Sequence, residues 1–145
     1  MTVGRVCQRE VDLADPDETV QAAAQRMAAR NVGSLVVVDV ESRPIGILTD
    51  RDLAMGVVAT AANPLALKVS ALMSHGVEIV RENQSLNAAL EYMARCSVRR
   101  MPVVDGDRKL VGMITLDDMM HLIGEEFGQI RRVLRESSPR RLAET

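Results

Sequence analysis

Ile45-Gly46-Ile47-Leu48-Thr49-Asp50-Arg51-Asp52 returns 66 positions later as Val111-Gly112-Met113-Ile114-Thr115-Leu116-Asp117-Asp118. The shared pattern is hydrophobic, Gly, two hydrophobics, Thr, two variable residues, Asp. Carried outward, the same offset lays Thr19–Leu53 over Ser85–Met119 without a gap. Eleven of those 35 positions are identical. They include Ala22/Ala88, Ala23/Ala89, Met27/Met93, Val32/Val98, Val37/Val103, Asp39/Asp105, Gly46/Gly112, Thr49/Thr115 and Asp52/Asp118. Upstream, Val3, Val6 and Val11 meet Val69, Leu72 and Val77. Gapless identity at this density marks an internal duplication, the feature to seek before any local structure.

Each copy reads as the same β-α-β-β-α string. Val11–Ala14 and Val77–Val80 are extended openings. Val20, Ala23, Ala24 and Met27 sit at i, i+3, i+4 and i+7, as do Leu86, Ala89, Leu90 and Met93, so each makes one buried helical stripe. Leu35–Val38 and Ile45–Leu48 read as strands joined by a short polar turn, mirrored by Met101–Val104 and Val111–Ile114. A second helix opens at Thr49 and at Thr115. Asn63-Pro64 marks a turn in the connection. These signals divide the chain into a first repeat (1–60), a linker (61–68), a second repeat (69–124) and a C-terminal helix and tail (125–145). A unit of about 55 residues exposes too much apolar surface to be comfortable alone. Two copies are therefore expected to pack sheet to sheet and share a core.

The composition is that of an ordinary globular protein, with 47% hydrophobic and 26% charged residues over 145 positions. One Phe, one Tyr and no Trp leave no stacking platform for single-stranded nucleic acid. The formal net charge of −2 lacks the basic excess of nucleic-acid binders. No signal peptide is recognised, and no stretch approaches the roughly 20 apolar residues of a membrane span. Cys7 and Cys96 form no CxxC, which fits a reducing, cytoplasmic setting. His75 and His121 have no ligand-spaced companions, so no metal site is expected. The methionines are expected mostly in the core. No spacing suggests a catalytic set, and the reading is of a non-enzyme.

The repeated motif carries its own chemistry. A Thr at a strand-to-helix junction caps the helix with its hydroxyl. Free N–H groups there attract anions such as phosphate. An Asp three residues on can accept hydrogen bonds from two ribose hydroxyls, as in dinucleotide sites. The Gly permits a close approach of ligand to backbone. The same residues also read as a plain N-cap with first-turn acids favoured by the helix dipole.

Two such motifs at fixed spacing, together with Val98-Arg99-Arg100-Met101-Pro102-Val103-Val104-Asp105, resemble the tandem cystathionine β-synthase (CBS) domain pair, or Bateman module. The resemblance covers about Val3–Gly124. It implies an α/β fold of two repeats about a pseudo-two-fold axis, a stand-alone regulatory pair, and a disk-shaped homodimer serving a regulated protein partner. It implies AMP, ADP or ATP as ligand, with NAD or S-adenosylmethionine as the alternatives. A structural dimerisation module with vestigial sites is the rival from another class. By the family pattern, Thr49 and Thr115 touch ribose or phosphate, and Asp52 and Asp118 hold the ribose. Asp50, Arg51, Leu116 and Asp117 complete the motif turns. Adenine lies against Val77 and Glu78 for the Thr49 site, and against Val11 and Asp12 for the Thr115 site. Arg99 and Arg100 match phosphate-binding positions, and they also read as a solvated turn. Gly33 and Ser34 stand in their place in the first copy, so the two sites are expected to differ.

Beyond the second repeat, Ile123, Phe127, Ile130 and Leu134 form a stripe at i, i+4, i+7 and i+11. This predicts an amphipathic helix over His121–Glu136 that continues the motif helix. Arg131, Arg132, Arg135, Arg140 and Arg141 give it a basic end. That end reads as favourable charge at a helix C-terminus, or as an arm around a dimer mate.

Overall fold

The computed structural model describes residues 1–137. Arg140 and Arg141 lie outside the described residues. The elements run α1 (Val3–Val6), β1 (Leu13–Ala14), α2 (Val20–Arg30), β2 (Ser34–Val38), β3 (Pro44–Thr49) and α3 (Asp50–Leu53). A π-helical turn, Ala54–Val58, extends α3. The second half follows with α4 (Val69–Leu72), β4 (Ser74–His75), β5 (Val80–Arg81), α5 (Leu86–Cys96), β6 (Arg100–Val104), β7 (Leu110–Thr115) and α6 (Leu116–Ser137).

Local chemistry sets these boundaries alike in both halves. Thr19 Oγ1 accepts from Ala22 N at 3.2 Å to start α2, and Ser85 Oγ accepts from Ala88 N at 3.1 Å to start α5. Each helix then stops on a left-handed residue, Asn31 at φ 53° and Ser97 at φ 55°. The strand-joining turns are tied by aspartates. Asp39 Oδ1 accepts from the amides of Glu41 and Arg43 at 2.9 and 3.0 Å. Asp105 Oδ1 does the same for Asp107 and Lys109 at 2.8 and 3.0 Å.

Each half holds a small mixed sheet. The first runs β1-β2-β3-β4, with β1 parallel to β2 and the other pairs antiparallel. The second runs β5-β6-β7 in the same sense, with an isolated Gln8–Met113 bridge where β4 sits in the first. The paired ladders begin at Leu13 and Val80, later than the extended openings read from the sequence. Val11, Asp12, Val77 and Glu78 therefore lie outside the regular strands.

The expectation of one shared core is corrected. Two separate clusters form, and each half lends its opening helix to the other. Val3 and Cys7 pack with Val80, Ala89, Met93, Met101, Val103, Ile114 and Met119. Val69 and Met73 pack with Val20, Ala23, Met27, Leu35, Val37 and Leu48. Val3 N donates to Gln84 O and Gly4 N to Glu82 O, while Val69 N donates to Glu18 O and Ser70 N to Pro16 O. The exchange lets neither sheet cover itself alone, so the duplication is interlocked and not merely adjacent.

The motif glycines serve this exchange. A Cβ on Gly46 would stand 2.6 Å from Met73 Sδ and 2.9 Å from Ser74 O. One on Gly112 would stand 2.7 Å from both Cys7 Sγ and Gln8 O. At the side where a Cβ would stand, the close approach is made by the other half's chain.

Of the nine methionines, Met27, Met73, Met93, Met101 and Met119 are buried. Cys7 is buried and Cys96 half-buried, both as free thiols, and burial pushes the Cys7 thiol up. Helix α6 runs unbroken from the Thr115 junction, as the apolar spacing predicts, and only its first turn reaches the core, through Met119. Met120, Ile123, Phe127, Ile130, Val133 and Leu134 are exposed along it.

Candidate nucleotide clefts between the repeats

Thr49 and Thr115 each end a strand and cap the helix that follows. Asp52 N donates to Thr49 Oγ1 at 3.1 Å, and Asp52 Oδ2 accepts from Thr49 N at 2.8 Å. The second copy repeats both contacts, at 3.1 Å each, between Thr115 and Asp118. This reciprocal box closes the helix end. It also holds each Asp carboxylate beside its Thr.

The first-turn amides of the first motif are already occupied. Asp50 N donates to Gly33 O at 2.9 Å and Arg51 N to Asp50 Oδ1 at 2.8 Å. With Thr49 N and Asp52 N bound in the box, no amide of that turn is left to cradle a phosphate. In the first motif the helix N-terminus therefore has no free amide for an anion, which leaves the surrounding side chains.

Those side chains converge on two clefts, each of about 300 Å³. One is bordered by Thr49, Ile47, Val77, Glu78, Arg99 and Arg100. The other is bordered by Thr115, Met113, Val11, Asp12, Ser34 and Arg100. Each cleft thus joins a motif Thr to the opening segment of the opposite copy, as the resemblance implied. Asp52 and Asp118 do not border the clefts themselves; each is tied to its threonine by the capping box. Asp50, Arg51, Leu116 and Asp117 border neither cleft. Leu116 packs on the second core, and Asp117 pairs with Arg99 at 3.6 Å.

Several cleft residues escape a reading by motif. Gln8, Glu10, Val32 and Gly33 border the Thr115 cleft, and Ser74, His75, Gly76 and Val98 border the Thr49 cleft. Only Gly33 follows from applying the repeat offset to a residue singled out in the sequence, Arg99; Gln8 and Ser74, Glu10 and Gly76, and Val32 and Val98 are offset partners of each other.

The clefts differ in chemistry. Asp118 Oδ1 accepts from Gln8 Nε2 at 3.0 Å, a contact that Ser74 does not make to Asp52. The Asp12 carbonyl accepts from Val36 N at 3.0 Å, whereas Pro102 at the matching place has no amide to offer Glu78. Asp12 pairs with Arg30 at 2.8 Å. Tyr92 donates its hydroxyl to the Glu78 carboxylate, which pushes the phenol up to about 12. Arg100 borders both clefts and donates from Nη1 to Ser34 Oγ at 2.7 Å.

Comparison with known proteins agrees with this architecture. The CBS domain model matches residues 3–58 and again 69–125, so the chain belongs to the CBS domain family. An uncharacterized protein of Methanopyrus kandleri, MK0525, is 36% identical over 122 residues. That match takes in 84% of this chain and 62% of the relative, so the chain spans less than two thirds of that protein. Hypoxic Response Protein I, solved with two coordinated zinc ions, superposes with a TM-score of 0.74 at 30% identity, over 83% of this chain and 98% of that one. The CBS domain pair of protein MJ0100, solved with 5′-methylthioadenosine and S-adenosyl-L-methionine, superposes with a TM-score of 0.73 at 25% identity, over 87% and 98%. Among the described residues of this chain, no group of three or more His, Cys, Asp or Glu is placed to hold a metal, and no helix is long and apolar enough to cross a membrane.

Proposed function

We propose that this chain is a non-catalytic sensor module that binds an adenosine-containing nucleotide, AMP, ADP or ATP, and reports it to a partner. The observation that carries the reading is the pair of symmetry-related clefts, each joining a motif Thr to the opening segment of the other repeat. Their size falls at the lower end of small-ligand sites. In each, Thr49 or Thr115 touches ribose or phosphate, and Asp52 or Asp118 accepts the ribose hydroxyls. Adenine lies along Val77 and Glu78, or along Val11 and Asp12. Arg99 and Arg100 give fork-shaped contacts to phosphate. The adenosine derivatives bound by the MJ0100 pair support the ligand class.

A second copy of the chain is the proposed partner of α6. The acids Asp117, Asp118, Glu125 and Glu126 lie toward its start, and Arg131, Arg132 and Arg135 toward its end. Antiparallel pairing of two such helices joins opposite charges and covers the apolar stripe.

A thermal-shift panel of AMP, ADP, ATP, NAD and S-adenosylmethionine tests the reading. Ligand at about 100 times its dissociation constant adds about 2.7 kcal/mol to stability. No shift with any of the five means vestigial clefts and a purely structural module.

A further inference from the structure

We propose that the two clefts take adenosine derivatives of different charge: the Thr49 cleft one that carries phosphate, and the Thr115 cleft one that carries no phosphate and bears a positive 5′ substituent, as a sulfonium nucleoside does. The inference rests on the sensor reading above and adds the ligand class of each cleft.

Arg100 borders both clefts, so it cannot discriminate between them. What differs is the rest of the two walls. The Thr49 cleft adds Arg99 and His75 against one acid, Glu78, whose carboxylate already accepts the Tyr92 hydroxyl. The Thr115 cleft adds Glu10 and Asp12 and no further cation at its wall. Arg30 offsets Asp12 from outside, and Asp117 partly offsets Arg99. Glu10 remains. Asp50 adds to it, because its Oδ2 lies 3.1 Å from where a Cβ on Gly33 would stand, on the wall where the other cleft carries Arg99.

A phosphate entering the Thr115 cleft therefore meets Glu10 and the partly offset Asp12 at the wall, Asp50 behind Gly33, and one arginine already bonded to Ser34. A sulfonium or ammonium group meets attraction in the same place. In the Thr49 cleft the preference reverses. Even at the intermediate dielectric of a protein surface, one opposed charge a few ångströms away shifts affinity by about tenfold after exposure is discounted. Gln8 adds a second difference. Its bond takes one of the acceptor positions on Asp118 Oδ1 and leaves fewer for ribose hydroxyls, so the Thr115 cleft binds more weakly for the same sugar.

Calorimetric titrations of the intact chain with AMP and with S-adenosylmethionine test this. The expected result is one AMP per chain, and S-adenosylmethionine binding with unchanged affinity when AMP is saturating. The double variant Glu10→Gly with Gly33→Arg gives the Thr115 cleft the residues of the other. It should raise AMP to two per chain and weaken S-adenosylmethionine at least tenfold. Gly33 has no positive φ, and an arginine there can pair with Asp50, so the fold should tolerate it. Two equivalent AMP sites in the unaltered chain, or S-adenosylmethionine displaced by AMP, overturns this inference and leaves the sensor reading standing. No binding of either ligand overturns both. Should the double variant fold poorly, the competition titration on the unaltered chain decides alone.

Discussion

Arg100 and Ser34 occupy equivalent positions of the two repeats, and they are hydrogen-bonded to each other, Nη1 to Oγ, at 2.7 Å. Residues related by the duplication can touch only where the pseudo-two-fold axis passes. The long, exposed arginine therefore sits on that axis, where it borders either cleft, while Arg99, one residue away, borders only the Thr49 cleft.

Arg99→Ala should weaken phosphate-bearing ligands at the Thr49 cleft alone, and Arg100→Ala should weaken them wherever they bind. A charge-assisted contact is worth about 1.5–3 kcal/mol, or roughly ten- to a hundredfold, and exposure pulls this toward the lower figure. Adenosine should bind as before. Titration calorimetry with AMP and adenosine checks it, and equal losses for the two ligands would show that the arginines support the fold instead.

The capping boxes separate two effects at the aspartates. Asp52→Asn keeps an oxygen to accept from Thr49 N. It should leave the melting temperature nearly unchanged while weakening adenosine ligands about tenfold. Asp52→Ala should do both harms, because losing the cap costs about 1 kcal/mol of stability. If Asp52→Asn binds AMP with full affinity, the ribose role assigned to this carboxylate is wrong.

Gly46→Ala and Gly112→Ala should destabilise by about 1–3 kcal/mol through overpacking. Gly112→Ala should be the worse. Its new methyl meets the Gln8 carbonyl at 2.7 Å, in the backbone bridge to Met113, whereas at Gly46 the backbone contact, to the Ser74 carbonyl, is longer at 2.9 Å and the nearest atom belongs to the flexible Met73 side chain. Chemical denaturation midpoints give the comparison. Unchanged stability with lost ligand binding would return the glycines to a ligand-facing role.

Tyr92 is the sole tyrosine, so its titration is spectroscopically clean. Donation to Glu78 raises its pKa from 10.0 to about 12, with burial adding to the effect. A raised folded value means that the contribution to stability is complete below about 10 and lost as pH climbs through about 12. The tyrosinate absorbance should follow that upper midpoint. Glu78→Gln should bring it back toward the ordinary value. A midpoint near 10 in the unaltered chain would break the assigned hydrogen bond.

Phe127 is 62% exposed in the middle of the α6 stripe. Phe127→Glu should lower the mass measured by light scattering from dimer to monomer without changing helix content. A chain already monomeric at micromolar concentration, or a dimer indifferent to the change, would remove α6 as the self-association surface.

The sequence by itself determined the repeat and its elements. Gapless identity at a fixed offset, helical apolar spacing and the paired Thr-x-x-Asp motifs are local signals, and local hydrogen bonds such as the Thr49–Asp52 box obey them. The long C-terminal helix was equally legible, because an apolar stripe declares a helix before it declares a partner. Tertiary structure decided the rest. Only folding could show that Val3 and Val69 cross into each other's half, since burial of an apolar residue carries no address. Only folding could show that Gly46 and Gly112 face chain, and that Gln8 already holds Asp118 across 110 positions. That the clefts differ was legible in Gly33 and Ser34 set against Arg99 and Arg100, but which other charges join each wall comes from that same non-local geometry. Charges far apart in sequence are gathered at one wall by the axis, and the field a ligand meets depends on distances that no spacing encodes.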